Sequence, residues 1–342
     1  MKARVKVNLN ERTQKPSVNA PNPSYFRVNE EIEIVEIVNG DTIDNNKVWY
    51  KLKNGSYVWS GGVEGLVTIK DTNNTNSDLI SFDDFMKGFS GDGSDIGIAY
   101  LDSGVNETHP FLKDRIKHYD SFLANKSKVG FTSHGNRIAG ILASDDPAVK
   151  RNKSDLYCFR VADSNDKVYN TGVVNTLNEI DLNLSSKIDI VNMSIDIKSS
   201  FIPKVQVEID KLFAKHVIVI VSAGENNFRN NISFLKNVIN VATFDDYKIP
   251  DILSKGLEST YTVAFPNRPI SSYSIAGKAL DATVSQDSAY CAAVSSLVAR
   301  KIQDGSIPKD ANRLQNTVAF LESISFEINN KTKISSFKPY KP

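Results

Sequence analysis

Cysteine is close to absent. The 342 residues include two, Cys158 and Cys291, which match no metal-ligand spacing and build no disulfide framework. An excess of one charge is also missing: 41 Lys and Arg stand against 40 Asp and Glu, a formal net charge of +1. That balance argues against a nucleic-acid partner and against an anionic membrane surface. No run approaches the roughly 18 apolar residues that span a bilayer. The opening MKARVKVNLNERTQ carries basic groups without the continuous apolar stretch of an export signal. A cytoplasmic location is therefore expected, with non-standard export left open. No D-x-D-x-D-G calcium-loop pattern occurs, so neither metal nor cofactor is expected. Histidine numbers only four, which makes the setting of each informative.

What is present divides into parts. The chain is long enough for one large core and a small satellite domain. Residues 1–70 read as all-β: RVKVNLN, EEIEIVEIV, KVWYKL and YVWSGGVEGLVTI alternate apolar and polar residues between turn-rich breaks. A small barrel is expected here. Trp49-Tyr50 followed by YVWSGGVE resembles the bacterial Src-homology-3-like domain, which implies a protein or cell-wall ligand. Tyr25, Phe26, Trp49, Tyr57 and Trp59 either line a groove for it or pack the barrel. Residues 71–92 read as a linker of turn formers, in which LISFDDFM forms a short docking helix.

From residue 93 to 325 the period changes. IGIAYL, LYCFRVA, IDIVNMSI, VIVIVSAG and VINVATF are short, nearly unbroken apolar runs, as in strands buried on both faces. Helix-length segments lie between several of them, and Pro203 suits a first helical turn. The expected fold is α/β, a largely parallel sheet with helices on both faces. PKDANRLQNTVAFLESI reads as a last helix, and residues 326–342 as a loosely held basic tail.

In such folds chemistry gathers beyond the carboxyl ends of the strands. Asp102 ends IAYLD, where turn capping is the simpler role. His134 opens NRIAGILAS, whose Ile138, Ile141 and Leu142 form an apolar stripe; alone, it is equally a capping residue. Ser288 begins a small-faced helix, where the macrodipole favours developing negative charge, although capping again competes.

Taken in order, Asp, His and Ser at these edges have the arrangement of the subtilisin-like serine peptidases. Residues 93 to 302 resemble that family. The resemblance is carried by AYLDSGVNETHPFL, SHGNRIAGILAS, IVNMSI, VIVIVSAG and DSAYCAAVSSLVA. It implies a serine endopeptidase acting on a peptide or protein: Ser288 the nucleophile, His134 the general base and acid, Asp102 its orienting partner. It further implies that extended substrate pairs with Ser194-Ile195-Asp196. Asp196 replaces a glycine there, so a preference for a basic residue before the cut bond is expected.

Two departures stand out. The family's Ala-Gly-Asn becomes Ala223-Gly224-Glu225-Asn226. Without a gap Glu225 takes the oxyanion donor's place; a one-residue bulge would restore Asn226, the oxyanion candidate. Gln286 and Asp287 replace the Gly-Thr before the nucleophile, and Asp287 is expected to oppose an oxyanion. An inactive peptide-binding relative, or a scaffold in which the first domain does the binding, therefore stays open beside the active peptidase.

Overall fold

The computed structural model describes residues 2–21, 24–28, 30–43, 46–67, 82–128, 132–149, 151–225, 228–244, 261–266, 270–273, 280–284, 287–324, 326–327 and 340–341. The chain divides into two compact units, Met1–Asn76 and Ser77–Pro342.

In the first unit, β1 (Lys2–Val5), β4 (Glu31–Ile43), β5 (Asn46–Leu52), β6 (Tyr57–Trp59) and β7 (Val63–Val67) form an antiparallel sheet in the order β6-β5-β4-β1-β7. The hairpin of β2 (Leu9–Glu11) and β3 (Ser24–Phe26) meets β6 through a bridge between Arg12 and Tyr57. Alternation places Val5, Ile32, Ile34, Leu52 and Val58 inside. Trp49 is no groove wall: it is 2% exposed and its indole donates to the Asp41 carbonyl at 2.8 Å. Tyr25, at 53%, is open to solvent.

The second unit is built on seven parallel strands among the described residues. They are β8 (Gly97–Asp102), β9 (Ile116–Ser121), β10 (Asp155–Arg160), β11 (Ile190–Met193), β12 (Ile218–Glu225), β14 (Ile239–Phe244) and β15 (Tyr261–Pro266). They run in the order β9-β10-β8-β11-β12-β14-β15. The short β13 (Phe228–Arg229) pairs beside β12, and β16 (Ile270–Tyr273) with β17 (Leu280–Val284) makes a separate hairpin.

Every residue of β8 and β11 is buried. Pleating sends alternate side chains into two different cores. Ile98 and Tyr100 join the core under α1 (Phe82–Lys87), α2 (Ser133–Leu142), α5 (Asp287–Gln303) and α6 (Arg313–Ile324). Ala99 and Leu101 join the core under α3 (Asn170–Glu179) and α4 (Ile202–Ala214). Helices thus cover both faces, as the unbroken apolar runs require.

The short docking helix expected in LISFDDFM is α1, whose Phe82 and Met86 are buried in the second unit's core. Two features depart from the sequence reading. The expected loose tail contributes β18 (Phe326–Glu327) and β19 (Tyr340–Lys341) to the sheet edge, with Tyr340 opposite Ala264. The strand β9, unanticipated, is the far edge of the sheet, and its IKHYDS pattern is only half buried.

The chain leaves β8 for β9 on one side and later returns to β11 on the other. The switch point is therefore β8, and the crevice beyond its carboxyl end begins at Asp102. Gly97 starts this strand against the Lys187 carbonyl, where a Cβ would lie 1.9 Å from the oxygen. Gly97→Ala is expected to cost about 1–3 kcal/mol of second-unit stability. Urea denaturation followed by circular dichroism checks this; both tryptophans lie in the first unit and would not report it.

Candidate active site

The carboxylate of Asp102 is buried at the end of β8. Its Oδ1 accepts from the Ser103 amide at 2.7 Å, and the Ser103 hydroxyl oxygen lies 3.1 Å away. The chain then turns at Gly104, whose φ of 104° lies in the region that glycine alone enters cheaply. α2 arrives opposite. Thr132 caps it, its hydroxyl accepting from the His134 amide at 3.2 Å. Gly135 allows the close approach, because a Cβ there would sit 2.1 Å from the Gly104 carbonyl oxygen.

Strand end and helix start together bring His134 onto Asp102. The Nδ1 atom lies 2.9 Å from Oδ1 and 3.1 Å from Oδ2. A carboxylate accepts, so Nδ1 carries the proton and Nε2 of the neutral ring is left free to accept one. Burial works against the imidazolium, but the charge and hydrogen bond of Asp102 outweigh it. Asp166 adds to the pull, Arg137 opposes it, and the ring is pushed up to about 9. The ring remains 35% exposed, with room for a reacting group.

Ser288 lies in the first turn of α5. The hydroxyl of Ser194 donates to the Ser288 carbonyl at 3.0 Å, and Asn192 of β11 donates to Ser194 at 2.9 Å. The start of α5 is thereby tied to the end of β11. Ser194 and Ile195 are buried. Asp196 accepts from Asn231 and from the Ile232 amide, each at 3.2 Å. It lines a groove of about 600 Å³ together with Asp166, Lys167, Tyr169, Lys198 and Phe201.

Asp287 does something the sequence did not suggest. Its Oδ2 receives the Ser222 hydroxyl, the Gly224 amide at 2.7 Å and the Asn230 side chain at 3.0 Å, while Oδ1 receives the Ser288 amide at 2.9 Å. Burial pushes its carboxyl up, against these donors and the nearby His134 charge. The group is a clasp between β12 and α5. β12 also shifts register against β14: Ser222 pairs with Val241 and Gly224 with Ala242, leaving Ala223 as a one-residue bulge. Asn226 itself lies outside the described residues.

Sequence reasoning thus missed the Ser222 and Asn230 contacts to Asp287 and the link from Thr132 to Asp166. Thr132 had a signal, a threonine immediately before a helix. The others had none, because they join elements far apart in the chain. Among the described residues, no three His, Cys, Asp or Glu side chains are grouped so as to hold a metal ion.

The sequence model of the subtilase family matches residues 93–337, well over half of the chain. The chain belongs to the subtilase family, the subtilisin-like serine proteases. It is similar to subtilisin amylosacchariticus of Bacillus subtilis subsp. amylosacchariticus, at 25% identity over 138 residues, 39% of this chain and 35% of that protein. The match therefore spans about a third of that relative's length. The fold of this subtilase is similar to that of a cold-adapted subtilisin-like serine proteinase, with TM-score 0.54 and 16% identity over 74% of this chain and 91% of the other. Sphericase aligns at TM-score 0.55 and 17% identity, over 74% and 93% of the two chains.

The Gly135 contact gives a direct test of the pair. Gly135→Ala is expected to force α2 off the Asp102 turn, so that the His134 midpoint falls from about 9 toward 6.5. Histidine NMR titration reads it, and an unchanged midpoint would contradict the close-approach argument.

Proposed function

We propose that this subtilase is a serine endopeptidase with Ser288, His134 and Asp102 as its catalytic residues. The observation that carries the reading is the two-oxygen contact of Asp102 with His134 Nδ1, which leaves Nε2 for the nucleophile's proton. In the proposed reaction the Ser288 oxygen attacks a peptide carbonyl while His134 takes its proton. His134 then passes that proton to the leaving amine, and an acyl-enzyme remains for water to hydrolyse. Asp102 holds the tautomer and stabilises the imidazolium. Asn226 is the proposed side-chain donor to the oxyanion, and the bulge at Ala223 supports that register. Substrate is taken to lie along Ser194, Ile195 and Asp196.

A second reading, a catalytically weak peptide-binding relative, is favoured by one specific contact. The Ser288 amide already donates to Asp287 at 2.9 Å, and an amide at the nucleophile is a natural oxyanion donor. For the first unit, a protein or cell-wall ligand remains the proposal, supported by the exposure of Tyr25 and the partial exposure of Tyr57 and Trp59.

Labelling by a fluorophosphonate probe, wild type against Ser288→Ala, separates the two readings. Ser288-dependent labelling is expected, with a rate that rises with pH through about 9 as His134 loses its proton. The sign for stability is the reverse. A raised histidine contributes fully below its ordinary 6.5, and that contribution is lost as pH climbs through about 9. No labelling at any pH would sink the peptidase reading. The Asp196 carboxylate on the groove wall is expected to favour Lys or Arg over Leu or Phe before the cut bond, and a peptide series showing an apolar preference would refute that.

A further inference from the structure

Asp166 has no role in the proposed triad, yet it sits at the end of a hydrogen-bonded path that starts there. It occupies a tight turn: the Asp163 side chain accepts from the amides of Asn165 at 2.9 Å and Lys167 at 3.2 Å, and Ala162 bridges to Val168. Asp166 takes the left-handed position of that turn, at φ 58°, where glycine or asparagine is the common choice. Its carboxylate faces back to the His134 helix. The Thr132 hydroxyl donates to Asp166 Oδ1 at 2.7 Å. The Ser103 hydroxyl lies 2.6 Å from the Thr132 hydroxyl and 3.1 Å from Asp102 Oδ1.

Counting protons orders this path. A carboxylate only accepts, so the single Thr132 hydroxyl proton goes to Asp166. Thr132 must then accept at the short contact, and the single Ser103 proton points to Thr132 rather than to Asp102. Charge-assisted bonds of this kind are the stronger ones, and each polarises the next. Asp102 is left with less hydroxyl stabilisation and so holds the His134 proton harder.

We propose that Asp166 is a positioning residue that draws the Thr132 and Ser103 hydroxyl protons away from Asp102 and thereby strengthens the Asp102 hold on His134. The assignment rests on the roles of Asp102 and His134 given above. It fits the direct contribution of the Asp166 charge, one of the groups raising His134. The charged groups that bear on His134 come from each element packed on it: Asp102 of β8, Arg137 of α2, Asp166 of the turn after β10 and Asp287 of α5. Asp166 differs from the others in lining the groove. An occupant there would displace water and strengthen its field.

The test is the NMR titration of His134 in full-length Ser288→Ala protein at low salt, which needs no catalytic activity. Asp166→Asn removes the charge and with it the charge-assisted bond that fixes the Thr132 proton. The expected result is a fall in the His134 midpoint of roughly half a pH unit or more, with an unchanged circular dichroism spectrum. In a Thr132→Val background the same substitution is expected to shift the midpoint less, because the path is already cut. Equal midpoints with and without the Asp166→Asn substitution would overturn the proposal. So would an Asp166→Asn shift of the same size with and without Thr132, which would reduce Asp166 to a through-space charge. Absence of fluorophosphonate labelling at Ser288 alongside the expected shifts would defeat the peptidase reading and leave this one standing.

Discussion

Asp102 is a carboxylate buried at the end of β8, and a charge in that position must be met by donors or by a cation. Much of the second unit is arranged around meeting it. The Ser103 amide folds back onto it, Gly104 turns the chain away, and Gly135 removes the side chain that would keep α2 at a distance. The ring of His134 completes the set. The same contact that satisfies the buried charge raises the basicity of the ring, so the local requirement of folding and the proposed requirement of chemistry are met by one pair of atoms.

A second buried carboxylate has a different outcome. Asp287 sits beside the proposed nucleophile, and in isolation its charge would count against an oxyanion. Its oxygens instead bind Ser222, Gly224 and Asn230 on one side and the Ser288 amide on the other. It joins the end of β12 to the start of α5, the two places from which oxyanion donors would come. The engaged amide is the feature that keeps a weakly active reading alive, and the bulge at Ala223 is the feature that favours the active one.

Much of this was legible beforehand where the signal was local. The unbroken runs IGIAYL, IDIVNMSI and VIVIVSAG marked strands covered on both faces, and β8, β11 and β12 are such strands. The stripe of Ile138, Ile141 and Leu142 marked the buried face of α2. Trp49 was ambiguous because an aromatic side chain at a barrel position suits either a core or a groove. The tail strands β18 and β19 could not be read, since two-residue strands acquire their pairing from a sheet edge supplied elsewhere.

Sequence alone determined the parallel α/β class, the family resemblance and the candidates Asp102, His134 and Ser288, because periodicity and motif order are properties of neighbouring residues. Tertiary structure decided the rest: that His134 meets both oxygens of Asp102, that Asp287 faces β12, and that Asp166 reaches Thr132. Those contacts join residues 32, 63 and 34 positions apart. At such separations a side chain's partner is chosen by how strands and helices pack, and no local pattern encodes it.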